Sequence, residues 1–396
     1  MGDTTAQLEI LRPLGKLEQI PAACHHIGYK LLTVPSPGAF DLRGLIYAAV
    51  ADVARKHRIL FAIPVNEDTP DPYFASLPSV DLTQAIVVLE RSKPLAAGSG
   101  ENAELDRILQ DQHNTDFKSG YGTLPSWRLV ILQCPKIQTE FIACFIYHYA
   151  IGDGIAGLAI HNAFREALEL HDLPINPSPP KPPAVKLNAW TGNPIHLPCN
   201  TSNNFIRVCK QKGQSVTSVL NLASFVGPLT CIIPVNLRPW LKVPPNAIGT
   251  YFDAITAQFT RPDQIGRDLL SADIRAGAQK SLNSDKRLPL QLANFRSVPD
   301  VGVVFNLLLG SPRDAAFEVT NAGLFRPATT PVAEESASFW EIEKVLPSRS
   351  AAAAGAAITV SVATGGSGVM GLGFSWQLLG PQAVTPNLKR RLQSMV

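Results

Sequence analysis

The sequence predicts an α/β protein, built as two halves of similar size with a site between them. Three observations predict it. Helix-like and strand-like apolar patterns alternate in both halves of the chain. A proline-rich stretch at 172–198, with eight prolines from Pro174 to Pro198, splits the chain near its middle and reads as an extended linker. The 396 residues suit two to three domains, and 45% hydrophobic with 17% charged residues supplies large cores and excludes a disordered chain. The expected boundaries are a first domain at 1–172, a linker at 173–200 and a second domain at 201–396.

Asp41–His57 has helical spacing, with Asp41 as its expected N-cap. Ile59–Val65 reads as a short apolar strand, and Trp127–Leu132 and Phe141–His148 as neighbouring strands. Ile155–Leu170 reads as a helix, because its apolar residues recur at three- and four-residue spacing and its charges come late. In the second half Thr201–Lys212 and Ser215–Phe225 read as helices broken at Gly213. Strands are expected at Thr230–Val235, Val301–Leu307, Ile342–Val345, Ile358–Ala363 and Leu372–Leu378.

Composition excludes several functions. Lys plus Arg is 35 against 32 for Asp plus Glu, and no basic stripe stands out, so no nucleic-acid partner is expected. The six cysteines show no metal-like spacing, so they read as buried thiols and no metal is expected. Residues 1–6 lack an apolar signal core, and Ala6 breaks a near-match to a myristoylation motif. The uncharged stretch Ala351–Trp376 contains a Gly-Gly-Ser-Gly break and reads as two strands and a turn rather than a membrane span. Gly366, Gly368 and Gly371 match GxGxxG, but strands on both sides make this a hairpin turn. Walker A, GxSxG and HExxH motifs are missing from the sequence. These observations predict a soluble, cytoplasmic protein without a membrane partner; the chain is expected to be a monomer that acts on a small molecule.

The informative stretch is Phe145–Gly157, FIYHYAIGDGIAG. It sets His148, Tyr149, Asp153 and Gly154 where an apolar strand passes through a glycine-containing loop into a helix, a position that often lines a site. The segment resembles the HHxxxDG signature of the acyl-CoA-dependent acyltransferase and condensation-domain superfamily, above all fungal alcohol acetyltransferases. Other segments resemble that family in the same order: Arg12–Glu18 followed by Cys24–Gly28, Ser126–Arg128, Pro234–Pro239 ("VNLRP"), Glu318–Phe325 ("VSNLG") and Gly373–Gln377 ("FTWQ"). The resemblance implies two chloramphenicol-acetyltransferase-like domains in a V, with a central tunnel that takes acyl-CoA from one side and an alcohol from the other. It also implies an ion pair between Asp153 and Arg238 that fixes the signature loop, with Gly154 beside it.

One position departs from the pattern. Four residues before Asp153, where the family carries its catalytic His, stands Tyr149. A phenol, with a pKa of about 10, is a poor general base at neutral pH but a good hydrogen-bond donor to a carbonyl or oxyanion. His148 matches the first His of the pair, and on a strand it would face away from Tyr149. The two are the catalytic candidates. By the resemblance, Thr320, Asn321, Ser348, Ser350, Trp376 and His26 are candidates for lining the tunnel. The expected activity is O-acyl transfer from acyl-CoA to an alcohol in secondary metabolism. The alternative is a cofactor-free cyclase or isomerase acting on a polyketide-, terpenoid- or alkaloid-like intermediate, with Tyr149 as hydrogen-bond donor. The chain is also somewhat short for the family, with the shortening near Ala223–Leu229.

Overall fold

The computed structural model describes residues 8–15, 18–19, 27–29, 32–33, 42–91, 103–134, 137–171, 195–197, 199–211, 216, 229–259, 295, 297–308, 313–325, 342–351 and 355–376. Among the described residues there are fifteen strands, numbered in chain order. They are β1 Glu9–Pro13, β2 Ile27–Tyr29, β3 Leu32–Thr33, β4 Ala62–Val65, β5 Tyr73–Ser76, β6 Ile86–Glu90, β7 Trp127–Cys134 and β8 Ile137–Tyr147, then β9 Ile195–Leu197, β10 Leu229–Asn236, β11 Phe252–Phe259, β12 Ala315–Leu324, β13 Ser348–Arg349, β14 Ala356–Thr364 and β15 Met370–Trp376.

They form mixed α/β layers. The first large sheet runs β13-β2-β8-β7-β6, with β3 beside β8. The second runs β11-β10-β12-β14-β15-β9, and a small sheet runs β1-β5-β4. Strand β8 shows why the first sheet reads as an unbroken apolar run. Phe141, Ala143, Phe145 and Tyr147 face the helices Leu42–Lys56 and Gly154–Leu170. Ile142, Cys144 and Ile146 face Leu105 and Leu109 of the helix Ala103–His113. Both faces are covered, so alternation is lost from the sequence.

The two halves of the chain interlock. Strand β13, from the C-terminal half, adds to the edge of the first sheet with Ser348 opposite Gly28 and Arg349 opposite Ile27. Strand β9 and the helix Cys199–Gln211 begin inside the stretch expected to be linker, and β9 pairs with β15. Phe325, Ile342, Val345 and Ala363 join the core of the first half.

Other expectations are corrected. Ile59–Val65 is a short 3-10 turn, Arg58–Phe61, followed by β4, because Leu60 N bonds back to His57 O and buries its side chain. Val301–Leu307 is helical, Val301–Leu308. The Asp300 carboxylate accepts from Gly302 N (2.8 Å) and Val303 N (3.3 Å), and this N-terminal cap outweighs the strand preference of three valines. Ile342–Val345 pairs in no ladder. It crosses the β14–β15 hairpin, where its carbonyls accept from Gly366 N and Ser367 N. The glycines are required by that crossing: a Cβ on Gly371 would lie 2.0 Å from Val345 O, and one on Gly373 1.9 Å from Pro347 O. The GxGxxG match is thus a hairpin under a crossing chain, with Gly368 in the turn at φ 78°. The expected helix Ser215–Phe225 lies outside the described residues except for the helical Val216, as do the proline-rich stretch at 172–194, His25, His26 and most of the shortened segment near 223–229.

Among the described residues no helix is long and apolar enough to cross a membrane, no three metal-ligating side chains cluster, and the cysteines are free.

Candidate active site

The signature segment leaves β8 at Tyr147 and makes one 3-10 turn, Tyr149–Ile151. It then enters the helix Gly154–Leu170 with Asp153 as N-cap. Asp153 is buried. Its carboxylate accepts from Ala156 N (3.0 Å), from Tyr251 N (2.9 Å) and from both terminal nitrogens of Arg238 (2.8 and 2.9 Å). Arg238 is buried too and also donates to Ala247 O, Gly249 O and Asn236 Oδ1, while its guanidinium stacks 4.8 Å from the Tyr251 ring centre. A fully hydrogen-bonded buried pair of this kind costs little to keep and much to break. Gly152 is extended at φ −177°, so its need is spatial: a Cβ there would meet the Ala156 Cβ at 2.8 Å.

His148 and Tyr149 point apart. The His148 ring accepts from Ala150 N through Nδ1 (3.3 Å), which puts its proton on Nε2, 3.2 Å from Glu67 Oε2. Phe117 meets it edge-on. Its one lone pair is occupied by the backbone, so the ring is not posed as a base. Lys118 stands 3.6 Å from Glu67, and its pKa is raised: burial opposes, but the Asp68 hydrogen bond and the Glu67 charge prevail. Tyr149 lies on the other side, its ring stacked parallel on Phe252 at 5.5 Å and capped by the Arg349 guanidinium at 5.3 Å. Arg349 also pairs with Glu318 on β12. The Cys231 thiol, on the neighbouring strand, is pushed up by burial and by the Glu318 charge.

Strand β13 connects this cluster to a cleft between the halves of the chain. Ser348 and Arg349 are adjacent on a strand, so they face opposite ways. Arg349 turns its guanidinium to Tyr149, and Ser348 is hydrogen-bonded to His113 Nε2 across the cleft. Leu109, Leu346, Phe374 and Trp376 make its apolar wall, and Ser350 and Ser375 its polar edge. The structure therefore brings together Ser348, Ser350 and Trp376, but not with the Tyr149 ring except through Arg349. Thr320 is half-buried and shares the face of β12 that carries Glu318, whereas Asn321 is exposed and its side chain accepts from Gly323 N (2.8 Å). His113, at the last turn of its helix, is held down to a pKa of about 4 by burial and by the Arg128 charge. Sequence reasoning passed over His113, whose partner is 235 residues away and leaves no spacing signal, and Phe252, Glu67 and Glu318 for the same reason.

No family model matches the chain. A curated relative, a probable alcohol acetyltransferase of Aspergillus fumigatus, is 48% identical over 92% of this chain and 94% of that one. This chain belongs to the alcohol acetyltransferase family. It is an acyltransferase-like enzyme with the condensation-domain fold. It is similar to the trichothecene 15-O-acetyltransferase of Fusarium sporotrichioides (12% identity, 97% and 94% of the chains covered, TM-score 0.66). It is also similar to the condensation domain of the Monacolin K polyketide synthase (13% identity, 98% and 97% covered, TM-score 0.57). At these identities the two solved structures speak for the fold. The Asp153–Arg238 pair ties the loop between β8 and the helix Gly154–Leu170 to the C-terminal half of the chain.

Proposed function

We propose that this enzyme moves the acyl group of an acyl-CoA onto the hydroxyl of a small, largely apolar alcohol of secondary metabolism. The observation that carries this reading is its likeness, across nearly the whole of both chains, to a probable alcohol acetyltransferase. The cleft supports the choice of acceptor. Its aliphatic and aromatic wall suits an apolar body, and Ser348, Ser350 and Ser375 offer hydrogen bonds for orientation. The alcohol oxygen attacks the thioester carbonyl carbon, the C–S bond breaks, and CoA leaves as a thiol. The Asp153–Arg238 pair and Gly154 hold the loop beside the site. Tyr149 supplies a ring on which Arg349 is set, and Arg349 in turn fixes the strand carrying Ser348, with Ser350 just beyond it. Thr320, on the Glu318 face of β12, is placed near that support. Cofactor-free ring closure has no contact of its own in its favour here.

Calorimetric titration with acetyl-CoA and longer acyl-CoA thioesters tests the reading, followed by mass analysis of acetyl transfer to a panel of apolar alcohols. Micromolar binding of one thioester and a product heavier by one acyl group are expected. Silence toward every thioester would end the acyltransferase reading.

A further inference from the structure

The family's base position holds Tyr149, and the adjacent His148 has its lone pair bound to Ala150 N. An alcohol attacking a thioester still has to lose a proton, and a neutral imidazole lone pair can accept it. We propose that His113 is the general base of this acetyltransferase, receiving the acceptor's proton through the Ser348 hydroxyl. This rests on the acyl-transfer reading above.

Three features of the cleft carry the assignment. His113 Nε2 is hydrogen-bonded to Ser348 Oγ, and both residues line the cleft between the two halves. Burial and the Arg128 charge keep the imidazole neutral across the physiological range, so a ring lone pair is available to accept. His113 is the final residue of the helix Ala103–His113, and the negative end of the helix dipole favours the imidazolium that forms during reaction. In the neutral ring Nδ1 then carries the proton and has no hydrogen-bond partner among the described residues. Asp106, seven residues earlier on the same helix, lines the same cleft.

The step balances. As the alcohol oxygen bonds to the carbonyl carbon, its proton passes to Ser348 Oγ and the Ser348 proton passes to His113 Nε2. When the tetrahedral intermediate collapses, the C–S bond breaks and the imidazolium proton returns through Ser348 to the CoA thiolate. The low basicity of His113 reduces the driving force for the first transfer, and makes the imidazolium a correspondingly strong acid for the second. Ser348 is not acylated in this scheme.

The test compares wild type, His113→Gln and Ser348→Ala. CoA-thiol release from acetyl-CoA is measured with benzyl alcohol as acceptor, alongside acetyl-CoA affinity, thermal melting and the intact mass of the quenched enzyme. The proposal expects kcat to fall by about 10²-fold or more in His113→Gln and by about tenfold in Ser348→Ala, with acetyl-CoA affinity kept. It also expects wild-type kcat to lose activity only as pH falls towards about 4, a limb that vanishes in His113→Gln. Turnover within about threefold of wild type in His113→Gln would overturn it. If that variant does not fold, Ser348→Ala decides, and turnover within about twofold of wild type overturns it. An acetyl adduct on Ser348 would overturn it in favour of a covalent acyl-enzyme. Wild-type protein that neither binds nor consumes acetyl-CoA would overturn the acyl-transfer reading itself, and this inference with it.

Discussion

Asp153 accepts four hydrogen bonds inside the protein, two from Arg238 and two from backbone N–H groups. Replacing it with Ala leaves a buried guanidinium without its anion, and a loss of about 3–5 kcal/mol is expected, read as a lower midpoint in chemical or thermal unfolding. An unchanged midpoint would contradict the buttressing role. Tyr149 makes a different prediction. Its two described ring contacts, with Phe252 and Arg349, survive in Tyr149→Phe, so turnover should stay within a few-fold of wild type. Tyr149→Ala removes both and should lower turnover well below Tyr149→Phe. A loss of about 10²-fold in Tyr149→Phe would instead mark the phenol as a hydrogen-bond donor to the reacting carbonyl. Asp153 and Arg238 were legible in the sequence because both belong to recognisable motifs. The His113–Ser348 and Tyr149–Arg349 contacts were not, since a hydrogen bond or a ring contact between distant segments leaves no mark on local spacing.

Among the elements, long and strongly patterned segments were read correctly: the helices at 42–56 and 154–170 and strands β7, β8, β10, β14 and β15 lie where periodicity put them, within a few residues. The valine-rich Val301–Leu308 was misread because the Asp300 cap sets the backbone of the first turn. Asp300→Ala should cost about 1 kcal/mol, measurable as a small shift in the unfolding midpoint. The hairpin glycines carry a sharper expectation. A methyl on Gly373 would sit 1.9 Å from Pro347 O, and real atoms do not approach so closely. Gly373→Ala must therefore push the crossing segment off the hairpin, and severe loss of soluble, folded protein is expected. That segment leads directly into β13 and the cleft, so any Gly373→Ala protein that does fold should also show reduced turnover.

For the whole molecule, the deciding feature is a strand from the C-terminal half sewn onto the sheet of the N-terminal half. It ties the cleft to both halves of the chain, and the stability of the fold should depend on pH through His113. Folded His113 titrates near 4 and an unfolded histidine near 6.5, so between those values the unfolded chain binds the extra proton. Stability contributed by neutral His113 is complete above about 6.5 and is lost as pH falls to about 4. Urea midpoints measured at pH 7, 5.5 and 4.5 should fall in that order, with a smaller decline in His113→Gln. Acetyl-CoA at a hundred times its dissociation constant should raise the unfolding free energy by about 2.7 kcal/mol, and the midpoint with it.

Taken by itself, the amino-acid order determined the α/β class, the positions of the strongest helices and strands and the family resemblance, from which the Asp153–Arg238 pairing was expected. These are local patterns or motif matches, and such information survives in one dimension. The tertiary structure alone decided which way His148 and Tyr149 turn, which chain crosses the glycine hairpin, and that His113 meets Ser348. Those outcomes follow from which surfaces are left to be covered once the sheets form. A side chain 235 positions from its partner is brought to it only by the closing of the whole fold.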